Sequence, residues 1–236
     1  MKIFKKIIIV ITILLLVLFS IFFFIGFGYY SDRLKEKPLF DRINEITSKE
    51  HFVKFDDLNK NYINAVIAVE DHRYFDHGAV DFLSIFRAIF TNLKDGDFEQ
   101  GGSTITQQVA KNVIFTQERS LNRKLGELFA ASDLEKNYSK NEIFALYVNT
   151  AYFGNGYYGI YDASKGYYNK EPKDLTLYEA TMLAGVPNAP SLYAPTVNPE
   201  LAKQRQKIVL GCMVKYGYIS ESDKSDVLNE ATSKKE

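Results

Sequence analysis

The sequence predicts a mainly α-helical domain carried on one membrane-spanning helix, and three observations predict it. An uncharged run from Ile7 to Gly28, IIIVITILLLVLFSIFFFIGFG, supplies the roughly 20 apolar residues that a helix needs to cross a bilayer. Beyond it, apolar residues recur with helical spacing. Several of these segments open on Ser or Thr followed three residues later by Glu or Gln, the reciprocal cap of a helix start, and there is little of the alternation that marks strands.

The chain has 236 residues, 46 % of them hydrophobic, which is room for one domain of about 150–200 residues plus appendages and excludes a disordered chain. Net charge is zero and the pI is about 6.8, so no basic field points to nucleic acid. Cys212 is the single cysteine, which excludes an internal disulfide. Its setting among Val209, Leu210 and Met213 reads as core, and the count leaves the compartment open.

The apolar run is longer than the roughly 7–15 residues of a signal-peptide core and has no convincing cleavage site, so it reads as an uncleaved anchor. Residues 1–6 precede it and 7–28 form the span. Lys2, Lys5 and Lys6 on one side face Arg33, Lys35 and Lys37 on the other, so charge counting leaves the orientation open. Residues 29–52 read as a polar juxtamembrane connector without a strong helical period, 53–220 as the folded domain, and 221–236 as a charged tail that frays.

Within the domain, Ile63, Val66 and Ile67 share one face of a helix leading to Glu70. Phe82, Ile85, Phe86, Ile89, Phe90 and Leu93 form an amphipathic stripe ending near Gly96; it reads as a core face, with a lipid-facing surface as the alternative. Thr104 with Gln107 opens a further helix, with Ser103 as a second candidate cap. Leu121, Leu125, Leu128 and Phe129 mark the next. Ser139 with Glu142 and Thr176 with Glu179 cap two more, and Asn198 followed by Pro199 starts the last.

Three polar islands ask for more than packing. In VEDHRYFDHG an acidic pair, Glu70 and Asp71, closes an apolar helix and runs into His77. A partly desolvated carboxylate there is a competent base, and an exposed helix end is the bland alternative. His72 and His77 are five apart and share no helix face, so a zinc motif is not supported. In GGSTITQQVAKN paired glycines precede a helix start crowded with hydroxyls and amides, with Lys111 two turns on. That suits an anion or, more plainly, a polar cap; the spacing of a Walker loop is absent. Arg123 and Glu127 project from one helix face as a surface ion pair, or as the wall of a cleft.

Taken together, EDHRYFDH, GGSTITQQVAKN, RKLGE, YVNTAYFGNGYYGI and LAGVPNAPSLYAP resemble, in order and spacing, the five motifs of glycosyltransferase family 51, across about residues 53–215. These are the peptidoglycan glycosyltransferases of class A penicillin-binding proteins and their monofunctional relatives. The resemblance implies a lysozyme-like fold, a helical head plus a smaller membrane-proximal lobe. It places Glu70 as general base and Glu127 as the second acid. It also places Asp71, His77, Ser103, Thr104, Gln108, Lys111, Asn112 and Arg123 in the substrate site, and Asn149, Tyr152, Gly154 and Gly156 in a structural motif near it. Tyr74 stands where the family usually has Phe and keeps the ring, so little effect is expected; Ala79 stands where the family usually has Gly, which questions the turn after the base.

The resemblance further implies lipid II and the growing lipid-linked glycan as partners, at the outer face of the cytoplasmic membrane with the N-terminus inside. No organic cofactor is implied; a divalent cation, Mg or Mn, is left open, as is recruitment by cell-wall elongation or division proteins. Nothing in the chain fits SxxK and KTG is missing, so the expectation is glycan polymerisation without cross-linking. The rival readings are a lytic glycosidase of the same broad fold and a non-enzymatic cell-wall scaffold.

Overall fold

An apolar run with no proline or charge has nothing to stop a helix. In the computed structural model, which describes residues 2–84, 86, 102–115 and 120–233, the first helix, α1 (Lys2–Glu36), runs unbroken through the whole run. It is the one described helix long and apolar enough to cross a membrane. Its apolar side chains are exposed from Ile3 through Ile25, as a lipid-facing surface would be. The helix continues eight residues past Gly28, about 12 Å at 1.5 Å per residue. The segment read as a polar connector without a strong helical period is therefore helical over most of its length. Pro38 breaks the chain, and α2 (Leu39–Thr47) follows with Leu39 and Ile43 in the core. Short amphipathic helices give few turns over which to read a period, which is why this one is faint in the sequence.

Helix α3 (Lys60–Glu70) starts at Asn59, whose side chain accepts from Asn61 N. Then come α4 (Ile105–Ile114), α5 (Leu121–Asn137), α6 (Lys140–Thr150), α7 (Ile160–Tyr168), α8 (Leu177–Gly185), α9 (Pro199–Lys215) and α10 (Glu221–Ser233). The capping boxes at Thr104/Gln107, Ser139/Glu142 and Thr176/Glu179 all form as expected. Ser103 does not cap, and Asn198 precedes Pro199 without a side-chain cap bond. Helix α10 covers most of the stretch read as a fraying tail, because Val227 is buried. Cys212 is half-buried rather than fully in the core.

The fold is mainly α: among the described residues the one β feature is an isolated bridge between Tyr152 and Tyr158. The core is built on α3, α4, α6 and α8, with Tyr62, Tyr74, Phe144, Tyr147 and Leu183 fully buried. Asn149 ties the chain ahead of α3 to this core. Its Oδ1 accepts from Val53 N at 2.9 Å, and its Nδ2 donates to Val53 O at 2.8 Å and Ala145 O at 2.7 Å. Gly154 has φ +80°, and a Cβ there would meet Ala194 Cβ at 2.8 Å and Pro190 O at 2.9 Å, so the turn needs glycine on two counts.

The stripe expected from Phe82 to Leu93 lies mostly outside the described residues. Its described members, Phe82 and Phe86, are exposed together with Leu83, so these two do not form the core face that periodicity suggested. Periodicity tells that a helix has an apolar side, not what that side meets.

Candidate active site

Glu70 is the last residue of α3, where the helix carbonyls already concentrate negative charge and a carboxylate is disfavoured. Its position is held by tertiary partners instead. Its side chain is 10 % exposed. Oε2 accepts from the Gln108 amide on α4 at 2.9 Å, and Oε1 lies 3.4 Å from Arg205 Nη2 on α9. The Tyr62 and Tyr147 hydroxyls lie buried nearby without hydrogen-bond partners among the described residues, close enough to feel the Glu70 charge.

Asp71 turns the other way. Its Oδ2 accepts from Ile105 N at the start of α4 at 3.0 Å, and its Oδ1 lies 2.7 Å from His77 Nε2. His77 Nδ1 lies 2.6 Å from Gly78 O. Both ring nitrogens thus face oxygens that only accept. Burial alone would lower the His77 pKa, but the bond to Asp71 and its charge outweigh burial and raise it above 6.5. Thr104 is equally committed: its hydroxyl accepts from Gln107 N and donates to Ala79 O at 2.9 Å.

These bonds change one expectation. The backbone N–H groups of Thr104, Ile105 and Gln107 go to Gln107 Oε1, Asp71 and Thr104 Oγ1, so three donors at that helix start are already taken, one of them by a carboxylate from the end of α3. Asp71, His77 and Thr104 fasten the loop after Glu70 to α4. The two departures from the family pattern are accommodated there. The Tyr74 ring is buried and its hydroxyl donates to Lys140 O at 2.7 Å. Ala79 has no positive φ, so its backbone does not need glycine.

The cations gather on α4 and α5 around Glu127, which is 2 % exposed. Arg123 Nη1 pairs with Glu127 Oε1, and Lys124 Nζ binds Oε2 at 2.9 Å. Lys124 also donates to Ser103 Oγ at 2.8 Å. Lys111, half-buried on α4, has no hydrogen bond or ion pair among the described residues. Burial lowers its pKa; Glu127 acts against that, Arg123 and Lys124 add to it, and Glu70 opposes it. Lys111 therefore lies in the field of both the Glu127 cluster and Glu70. Asn112 follows it on α4, half-buried. One carboxylate facing three cations leaves surplus positive charge for an anion.

Sequence reading missed Lys124 and Arg205. Lys124 had a signal, since it stands three residues before Glu127 just as Arg123 stands four before it. Arg205 had none, being 135 positions from Glu70.

Among the described residues, the clustered carboxylates that could hold a divalent cation are already engaged by protein donors. Asp71, His77 and Asp81 bring ligand atoms within 4.8 Å of one another, but Arg73 grips both Asp81 oxygens at 3.0 and 2.6 Å and Ser84 binds them as well. Burial alone would push the Asp81 carboxyl up; these partners outweigh it and hold it well below the usual carboxylate range. The Glu127 oxygens are likewise taken by Arg123 and Lys124.

A family profile described as Transglycosylase matches residues 37–214. Penicillin-binding protein 1A of Neisseria flavescens is 46 % identical over 182 residues, 77 % of this chain and 23 % of that protein. Penicillin-binding protein 1F of Bacillus subtilis is 42 % identical over 177 residues, 75 % of this chain and 25 % of that protein. The chain thus spans about a quarter of the length of these curated relatives. Among solved structures, penicillin-binding protein 1A from Haemophilus influenzae aligns at 27 % identity and a TM-score of 0.38, over 53 % of this chain and 16 % of that one, an overlap too partial to bear on the fold. On the match over 37–214, the chain belongs to the transglycosylase family.

Proposed function

We propose that this chain polymerises lipid II into linear β-1,4-linked glycan at the outer face of the cytoplasmic membrane, anchored by α1 with its N-terminus inside. Glu70 is the general base. It takes the proton of the acceptor's GlcNAc 4-hydroxyl as that oxygen attacks C1 of the donor MurNAc. The new O–C1 bond forms as the bond from C1 to the diphosphate oxygen breaks. The electron pair leaves with undecaprenyl diphosphate, and the α-linked donor becomes a β-linked product.

A general base of this kind contributes roughly 10²–10⁴-fold. The negative charge growing on the diphosphate is met by Lys111, Arg123 and Lys124, the last two held by Glu127 before the reaction, so little reorganisation is needed as charge develops. Gln108 fixes the base from one side. Asp71, His77 and Thr104 support the loop behind it. No step uses a metal. On this reading the helical part described above is one wall of a cleft in a lysozyme-like, two-lobed domain.

The observation that supports the proposal is the bond from Gln108 on α4 to Glu70 Oε2 at 2.9 Å: Lys111 follows Gln108 by three residues on the same helix, so the two project from one helix face, and both Glu127 and Glu70 act on the Lys111 charge. The Glu127 cluster sits on α5, against which the membrane helix packs. A lytic glycosidase would need an acid but no cations for a lipid-borne diphosphate. The test is incubation with labelled lipid II and separation of products on a gel. Polymer is expected from the wild type, and Glu70→Gln should lower its rate at least about 10²-fold. Clearing of purified sacculi without polymer formation would favour the lytic reading. A normal rate in Glu70→Gln would remove Glu70 from the mechanism.

A further inference from the structure

Two arginine–carboxylate pairs flank the loop after α3, and they are built differently. Arg73 holds Asp81 with two bonds, 3.0 and 2.6 Å, the fork geometry that immobilises a carboxylate. Arg205 reaches Glu70 through one nitrogen at 3.4 Å, longer than a strong charge-assisted bond. Its side chain is 11 % exposed and its Nε is buried without a partner among the described residues. A guanidinium N–H left buried and unbonded costs free energy, so stability alone does not account for this placement.

The surroundings are shaped around the Arg205 stem. Gly185, at the end of α8, has an ordinary right-handed backbone, φ −79° and ψ −26°, so its glycine is not needed for conformation. A Cβ there would lie 2.9 Å from Arg205 Cγ. The glycine makes room for the stem. The guanidinium carbon stands 6.0 Å from the Tyr193 ring centroid, a second contact that fixes its direction. Among the described residues, Arg205 is the ion-pair partner of Glu70.

We propose that Arg205 is a positioning residue for the general base: its charge and braced stem aim the Glu70 carboxylate, while the single long contact leaves lone pairs on Oε1 open to the acceptor's hydroxyl proton. A bidentate grip like that of Arg73 would hold the carboxylate but occupy the atoms that must take the proton. This rests on the reading of Glu70 as base.

The test uses the full chain with lipid II and four variants: Arg205→Met, Arg205→Lys, Glu70→Gln, and Arg205→Met combined with Glu70→Gln. Arg205→Met should lower kcat about 10- to 10²-fold, the scale of a misaimed catalytic group, with KM for lipid II within about threefold. Arg205→Lys should recover part of the loss. In the Glu70→Gln background Arg205→Met should add less than about a twofold loss, because its effect runs through Glu70. Wild-type kcat in Arg205→Met, or the same further loss in the double variant, would overturn the proposal. Should Arg205→Met fail to fold, Gly185→Ala presses on the stem and keeps the charge: a fall in kcat at constant KM is expected, and an unchanged kcat counts against the proposal. A wild type that makes no polymer, or an active Glu70→Gln, would instead defeat the base reading, so the two failures are distinct.

Discussion

Gly26 of the membrane helix lies directly against Leu125 of α5: a Cβ on Gly26 would stand 2.9 Å from both Leu125 Cβ and the Phe129 ring. The contact continues on both sides. The Phe23 and Phe129 rings meet edge to face with centroids 5.0 Å apart, and the Tyr30 hydroxyl donates to Asp133 at 2.5 Å. Tyr29 stacks on Phe115 at 5.5 Å, and both rings lie over Gly126, beside Glu127. The anchor is thus packed onto the helix that carries Arg123, Lys124 and Glu127.

Gly26→Leu should force α1 away from α5. Overpacking of this kind costs typically about 1–3 kcal/mol, and a melt of the full chain in detergent should show the midpoint falling accordingly. A variant that melts with the wild type would mean that the two helices do not pack through Gly26.

Lys111→Met should separate stability from activity. Burial holds the lysine pKa below its ordinary 10.5, so the folded protein binds fewer protons there than the unfolded chain. The wild type therefore gains stability as pH rises through that lowered value toward 10.5. Methionine removes the buried charge while keeping the stem, so the variant should melt no lower than the wild type at pH 7. Its polymerisation of lipid II should drop at least about tenfold through lost stabilisation of the leaving diphosphate. Equal losses in both would make Lys111 a structural residue.

His77→Gln gives a pH signature. The groups facing the ring are Asp71, Gly78 O and, at longer range, Lys140, with Asp81 nearby. Since the folded pKa is raised above 6.5, the stabilisation is fully present below 6.5 and fades as pH rises through the raised value. The melting gap between wild type and variant should be widest near pH 6 and narrow toward pH 9. A constant gap would mean that the neutral ring does the same work.

Much of the fold was legible because it rests on local rules. The caps at Thr104, Ser139 and Thr176 sit where their sequence spacing placed them, since a capping box is a bond between residues three apart. The anchor was legible for the same reason. The helix over Leu39–Thr47 was not, because nine residues give little periodicity and its stability comes from burying Leu39 and Ile43. In the site, Arg123 and Glu127 were legible as neighbours on one helix.

The sequence by itself determined the capped helices, the span and the motif order that assigns the family. Only the tertiary structure decided that Asp71 takes a backbone N–H at the start of α4 and that Arg205 reaches Glu70. The physical reason is distance along the chain. Propensity and capping act within a few residues, whereas the direction of a carboxylate is set by donors, backbone or side chain, that packing brings in from 34 to 135 positions away.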